Sequence, residues 1–271
     1  MTVLLPEWSQ VTHPIIGMLH APPLPGSPRY QGSMAAIISH VLRDVETLSE
    51  HGVDGLMLEN FGDVPFTAGA VSAVTVASLT RLASEVRQHC ALPLGINVLR
   101  NDALAALGIA ATVGASYIRV NVLSGVRVTD QGVITGQAYE LLRLRDQLSA
   151  GEVRILADVD VKHSAPITRR PLSEETEELV LRAGADGVIV SGPATGKPIN
   201  LTDLPEVVAA SQGRPVFVGS GVSIDTLPRL LPFCQGVIVG SSLKPGGQID
   251  EPVSADLVRQ LVSAVRAWHP E

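Results

Sequence analysis

Four stretches of the chain repeat one design: "HGVDGLMLEN" (51–60), "VGASYIRVNV" (113–122), "AGADGVIVSG" (183–192) and "FCQGVIVGSS" (233–242). Each follows a helical segment, passes a glycine or short polar turn, and enters an apolar run. Glycine suits the end of a helix because it reaches positive φ without a Cβ clash. A polar residue then turns the chain into a strand. Recurrence of this connection restricts the fold to an alternating array of helices and strands.

Counting every short apolar run gives eight strand candidates: 15–20, 55–60, 92–98, 117–122, 153–161, 187–191, 215–219 and 236–241. Most are unbroken Val, Ile and Leu runs, the pattern of parallel strands covered on both faces. Helical periodicity fills the gaps. Ile37, Ile38, Val41, Leu42, Val45 and Leu48 line one face of the first helix, and Leu257, Val258, Leu261, Val262 and Val265 one face of the last. The helices between fall near 69–89, 101–113, 137–150, 173–183, 203–211 and 224–232. Eight βα units in 271 residues predict an α/β fold, a single (β/α)8 TIM barrel spanning 1–271. A doubly wound sheet would use fewer strands, and no composition shift marks a second domain. "VRVTDQGVITG" (126–136) predicts a small β-hairpin inserted after strand four, either a flap over one rim or a surface ornament.

Hydrophobic residues make up 45% of the chain, enough for one large core. A net charge of −7 with no basic cluster, and few aromatic rings, argues against nucleic acid as a partner. Cys90 and Cys234 match no metal-binding spacing and are read as reduced and buried. The opening "MTVLLPEWSQVTHP" lacks the basic-then-apolar pattern of a signal peptide, and no apolar run reaches the roughly 18 residues that span a bilayer. A soluble, cytoplasmic protein without a transmembrane segment is expected. Apolar helix faces would allow a homo-oligomer without specifying one.

The stretch "RILADVDVKHS" (154–164) sets Asp158, Asp160 and Lys162 two residues apart inside a hydrophobic run. In a barrel strand, Leu156, Asp158 and Asp160 would face the axis, with Lys162 just beyond, while Ile155, Ala157, Val159 and Val161 face the helices. An unpaired buried carboxylate costs several kcal/mol, so such a row reads either as a site or as a structural Asp–Lys pair. Other strand ends share this polarity: His20, Glu59 and Asn60, Asn97, Arg119 and Asn121, Ser191 and His163. Their convergence is what a polar pocket on the C-terminal face of a barrel needs.

Two stretches, "FVGSGVS" (217–223) and "VIVGSSLKPGG" (237–247), follow strands seven and eight. Their glycines let backbone N–H groups approach an anion, the usual phosphate position in a barrel, although tight βα turns alone would also need them. The expected phosphate cradle is Gly219, Ser220, Gly221, Gly240, Ser241 and the hydroxyl of Ser242. "SGPATGKP" (191–198) misses the P-loop spacing and reads as a pocket wall or lid, comprising Ser191, Gly192, Thr195, Gly196 and Lys197. The proline-rich "GMLHAPPLPGSPRY" (17–30) would make a stiff rim around His20, with Arg29 available for an anion, or simply a stiff connection.

"IIGMLHAPPLPGSPRY", "LENFGDVPF", "ADVDVKH", "GADGVIVSGPATGKP", "PVFVGSGV" and "GVIVGSSLKPGG" together resemble the BtpA family. The resemblance runs from about residue 14 to 268, with the motifs in family order. It implies a phosphate-binding TIM barrel. The family's founding member is a cyanobacterial factor, peripheral to thylakoid membranes and needed for photosystem I biogenesis, while relatives occur in organisms without photosynthesis. The resemblance therefore implies a fold and a pocket more firmly than a reaction, and peripheral membrane association only by analogy. It carries no catalytic assignment.

The residues point to an enzyme acting on a small phosphorylated metabolite, such as a sugar phosphate or a nucleotide-derived pentose phosphate. It would be a lyase, isomerase or hydrolase working by acid/base chemistry. Glu59, Asp158, Asp160 and Lys162 would form the reacting end, with His20, Asn97, Arg119 and Asn121 around them. Lys162 would stabilise an oxyanion; a Schiff base ranks lower because adjacent carboxylates should raise its pKa. Asp158, Asp160, Glu59 and His163 are candidate ligands for Mg²⁺, Mn²⁺ or Zn²⁺, although strict alternation would turn His163 from the axis. The competing reading, from the family's founding role, is a non-catalytic assembly or regulatory factor. A scaffold has no need of inward acids, so Asp158→Asn should separate the two.

Overall fold

The computed structural model describes residues 2–192 and 199–269. In chain order the strands are β1 (Ile15–His20), β2 (Gly55–Glu59), β3 (Leu94–Asn97), β4 (Tyr117–Val120), β5 (Val126–Thr129), β6 (Gly132–Thr135), β7 (Arg154–Val159), β8 (Ser164–Pro166), β9 (Gly187–Val190), β10 (Val216–Val218) and β11 (Gly236–Val239). The helices are α1 (Met34–Glu50), α2 (Ala73–His89), α3 (Ala103–Val113), α4 (Ala138–Gln147), α5 (Leu172–Glu177), α6 (Asp203–Ala210), α7 (Leu227–Leu230) and α8 (Ala255–Ala267). Eight strands close a parallel barrel in the order β1-β2-β3-β4-β7-β9-β10-β11, with β11 pairing back onto β1. This is the TIM barrel that the αβ repeats predict.

Several helices are shorter than periodicity alone suggests, and two of them show why. The second starts at Ala73 instead of residue 69 because the Ser72 hydroxyl accepts from the Thr75 N–H and caps it there. The seventh keeps only Leu227–Leu230 of 224–232: the Thr226 hydroxyl accepts from the Ser223 N–H and donates to the Gly221 carbonyl, folding the approach into a turn.

Large lumen residues alternate with glycines. Ile16, Met18, Met57, Tyr117, Leu156, Ile189, Phe217 and Ile238 form one buried cluster with Leu4, Leu5 and Trp8 from the N-terminal segment. Gly95 makes room for the Tyr117 ring; a Cβ there would lie 2.1 Å from Cε2. Trp8 closes the N-terminal end of the barrel, and its Nε1 donates to the Asp54 carbonyl at 2.8 Å. No periodic signal in residues 2–14 announces this plug. It leaves the C-terminal end as the opening.

The insertion after β4 is the expected hairpin, β5 paired antiparallel with β6, joined by an unexpected third strand, β8. Arg127 on β5 is buried and pairs with Asp160 at 3.0 Å and with Glu175 on α5. Cys90 and Cys234 are buried and unbonded to one another, and burial pushes the Cys234 thiol up to about 12. No helix among the described residues is long and apolar enough to cross a membrane.

Candidate active site

Strand register sets the polar residues side by side. His20 is the register partner of Glu59, Glu59 of Asn97, and Asn97 of Arg119. Asp158, on β7, lies two residues beyond Leu156, the partner of Arg119. All five side chains are buried, as are Asn121 and Ser191. Period-2 alternation sends each into the lumen above the apolar layers, because the parallel register keeps equivalent positions level.

Arg119 holds Asp158 with both ends of its fork: Nε donates to Oδ1 and Nη2 to Oδ2, each at 3.0 Å. Nη2 also reaches the Ser191 hydroxyl at 3.3 Å, and Asn121 Nδ2 donates to Asp158 Oδ2 at 2.6 Å. Such charge-assisted, bidentate contacts fix both side chains. Burial disfavours the guanidinium charge, but the Asp158 carboxylate outweighs it and raises the Arg119 pKa. Across the mouth, Asn97 Nδ2 donates to Glu59 Oε2 at 2.5 Å.

Burial, with Lys244 and Lys162 nearby, pushes the His20 imidazole down to about 3, so the ring is neutral at physiological pH. It lies edge-on to Phe61, with centroids 5.0 Å apart. Its Nδ1 is buried and meets no hydrogen-bond partner among the described residues. Gly240 is what lets the ring sit there, since a Cβ would come within 2.7 Å of His20 Cε1. The Lys162 pKa is lowered, chiefly by burial and then by Arg119, against the pull of Glu59 and Asp158. The expectation that its carboxylate neighbours would raise it fails because desolvation is larger.

Arg100 belongs to this site and escaped the sequence reading. It is buried, and its Nη2 donates to the Lys162 carbonyl at 2.5 Å. The signal was its place two residues past Val98, just beyond the strand candidate 92–98 and at the same barrel face as the other strand tips. With Arg100 included, Arg119, Arg100 and Lys162 gather around Glu59 and Asp158. Asp130 acts on Arg100 from the side chamber, so the three cations are matched by three carboxylates, two at the mouth and one beside it.

The mouth encloses a cavity of about 40 Å³ lined by His20, Glu59, Arg119, Lys162 and the turn residues Gly219–Gly221 and Gly240–Ser241. Beside it opens a cleft of about 840 Å³ between the proline-rich loop, α1 and the segment Gly247–Asp250. His20, Phe61 and Ile249 belong to both walls.

Several expected site residues stand elsewhere. Asp160 leaves the alternation: β7 ends at Val159, and Asp160 takes a φ of +49°, a left-handed conformation that Asp tolerates better than most residues. Its exposed carboxylate pairs with Arg127 of the insertion instead of facing the lumen. His163 also has positive φ and is exposed, lining a side chamber of about 180 Å³ with Glu59, Arg100 and Lys162. Among the described residues no three His, Cys, Asp or Glu side chains converge, so Asp158, Asp160, Glu59 and His163 do not form the metal-binding set expected of them. The donor chemistry agrees: Asp158 is already engaged by Arg119 and Asn121. Ser242 donates its hydroxyl to the Val222 carbonyl at 2.6 Å, and the Gly219 N–H is spent on the Val190 carbonyl at 2.9 Å, so neither joins an anion cradle. Ser191 and Gly192 are buried beside the site; Thr195, Gly196 and Lys197 lie outside the described residues.

A sequence model of the BtpA family matches residues 11–267. The photosystem I biogenesis protein BtpA of Synechocystis sp. is 45% identical over 256 residues, covering 94% of this chain and 89% of its own. An uncharacterized protein of Thermococcus kodakarensis is 47% identical over 253 residues, covering 93% and 95%. An uncharacterized mitochondrial protein of Caenorhabditis elegans is 35% identical over 241 residues, covering 86% of each chain. Among solved structures, N-(5'-phosphoribosyl)anthranilate isomerase from Pyrococcus furiosus superposes with a TM-score of 0.58 at 14% identity, covering 94% of this chain and 98% of its own. That similarity is one of fold.

Proposed function

The chain belongs to the BtpA family, and from that premise we propose an enzyme that acts by acid/base chemistry on a small phosphorylated metabolite at the open end of its barrel. The observation that carries this reading is that Arg119 and Lys162 line the same small cavity as the glycine-rich turns after β10 and β11. Cationic side chains and glycine-rich turns converging on one small cavity suit a bound anion. The backbones of Ser220, Gly221, Gly240 and Ser241 would hold a phosphate, in the loops where barrels of this kind carry one.

Within that frame the residues divide the work. Glu59 lines the cavity and is oriented by Asn97, so it is the group to give or take a proton. Lys162 would stabilise the oxygen on which negative charge develops. Asp158, gripped by Arg119 and Asn121, acts as the rigid wall that aims the Arg119 guanidinium rather than as the base. His20, being neutral, offers a hydrogen bond without adding charge.

The test is a thermal-shift screen against sugar phosphates and nucleoside phosphates, followed by turnover with any that bind. A ligand at about 100 times its Kd should raise stability by roughly 2.7 kcal/mol. Glu59→Gln should keep that shift and lose turnover. A screen in which no phosphorylated compound shifts the melting point would defeat the reading.

The 45% identity to the Synechocystis protein favours a second reading, a non-catalytic assembly factor. Caenorhabditis elegans has no photosystem, so a role shared across the family must lie elsewhere. Binding with no turnover of any screened ligand, unchanged by Glu59→Gln, would support that alternative.

A further inference from the structure

Resting on the phosphosugar reading, we propose that the cleft beside the mouth is the subsite for a planar heteroaromatic group, so that the substrate is a nucleotide-like phosphorylated riboside and not a bare sugar phosphate. The two spaces differ greatly in size. The mouth, at about 40 Å³, is room for roughly three waters, enough for a phosphate-sized fragment and little more. The adjoining cleft, at about 840 Å³, falls in the range of whole ligand pockets, about 300–1,000 Å³. A ligand filling only the first would leave the second without purpose.

The cleft's walls suit a flat ring. Phe61, Tyr30 and His40 supply aromatic faces, and Pro22, Pro23 and Ile37 supply apolar ones. Rings and prolines present area at little conformational cost. The edges are polar: Gln31, Gln248 and Asp250 offer the donors and acceptors that a heterocycle's rim would use. Arg29 lines the same cleft and makes no ion pair among the described residues, leaving its guanidinium plane available to stack on a ring.

His20 joins the two compartments. Its buried ring is in both walls, and its Nδ1 lacks a partner among the described residues. A ligand running from the glycine-rich turns past Glu59 and into the cleft would place the bond between sugar and ring beside this imidazole. Phosphate, pentose and base would follow one another in that order along this path.

The experiment measures affinity of the full chain by titration calorimetry for inorganic phosphate, ribose 5-phosphate and the common nucleoside 5'-monophosphates. At least one nucleotide should bind ten-fold or more tightly than ribose 5-phosphate. Ala36→Trp, at an exposed helical position lining the cleft, should erase that advantage while leaving ribose 5-phosphate within two-fold. Phe61→Ala serves as the second variant and should cut the same preference. Equal affinity for ribose 5-phosphate and every nucleotide, or a preference that survives both variants, would overturn the subsite and leave the phosphosugar reading standing. Failure of all the probes to bind would overturn both.

Discussion

The Arg119 guanidinium grips the Asp158 carboxylate through two parallel hydrogen bonds of 3.0 Å, both side chains being buried in the barrel. A pair this well formed stabilises only while both members are present. Removing one leaves the other as an unpaired buried charge, at a cost of about 3–5 kcal/mol. Asp158→Asn should therefore lower stability by that order, and so cannot separate an enzyme from a scaffold as the sequence suggested. Urea unfolding of the variant measures it; a loss below about 1 kcal/mol would show the pair to be hydrated and unimportant.

Glu59→Gln is the cleaner probe. Glu59 is held by the Asn97 amide, not by a bidentate cation, and Gln keeps the shape of the contact. Losing its charge leaves Arg119 and Lys162 less well compensated, so the variant should lose some stability, less than Asp158→Asn, and lose turnover of whichever phosphorylated ligand the wild type converts. Wild-type rates in Glu59→Gln would remove Glu59 from the chemistry.

Much of this was legible in the chain. Continuous Val/Ile/Leu runs and repeated αβ turns specify a parallel barrel, and alternation within β1, β2, β3, β4 and β7 places His20, Glu59, Asn97, Arg119 and Asp158 correctly. What failed did so for local reasons. Alternation holds only while the strand lasts, and β7 stops at Val159, so one backbone turn carried Asp160 to the insertion. Arg100 was missed because it lies past the apolar run, where the period-2 pattern no longer says which way a side chain points. The Trp8 plug depends on contacts with strands distant in sequence, which no local pattern encodes.

Stability should depend on pH through His20. Its folded pKa, about 3, lies below the ordinary 6.5, so protons prefer the unfolded chain and stability falls as pH drops below about 6.5. At pH 4.5 the loss from this group is about 3 kcal/mol, at 1.36 kcal/mol per pKa unit. Other groups titrate in the same range, so the measurement is the stability of the wild type minus that of His20→Gln, which should fall by that amount from pH 7 to 4.5. A difference that stays flat would mean that the ring titrates in the folded protein as it does in the unfolded chain.

The glycines that face the lumen divide into two kinds. At Gly95 an added methyl would meet the Tyr117 ring at 2.1 Å, and that ring is fixed by its hydroxyl donating to the Leu56 carbonyl. Gly95→Ala should cost at least the roughly 1–3 kcal/mol of an overpacked core. At Gly240 the methyl would meet His20 instead, whose ring can tilt toward the cavity it lines. Gly240→Ala should accordingly spare more stability but weaken ligand binding. The two melting curves decide it: equal losses would show that the mouth is packed as tightly as the floor.

Lys244 shows that a buried cation in a glycine-rich phosphate-type stretch need not serve the anion. Its ammonium donates to the carbonyls of Ile249 and Glu251 at 2.8 and 2.7 Å and to Asp44 on α1 at 3.4 Å, which accounts for all three of its donors. Asp44 in turn accepts from the Val253 N–H at 3.0 Å. The lysine thus pins the segment that follows it against α1, and that segment supplies Ile249 and Asp250 to the cleft. Lys244→Met keeps most of the aliphatic length but strands two carbonyls and a buried carboxylate, a cost of about 3–5 kcal/mol. It should also loosen the cleft wall, seen as faster amide exchange across 245–253 and weaker binding of any ligand that occupies the cleft. Unchanged exchange in those residues would mean that the loop holds its shape without the lysine.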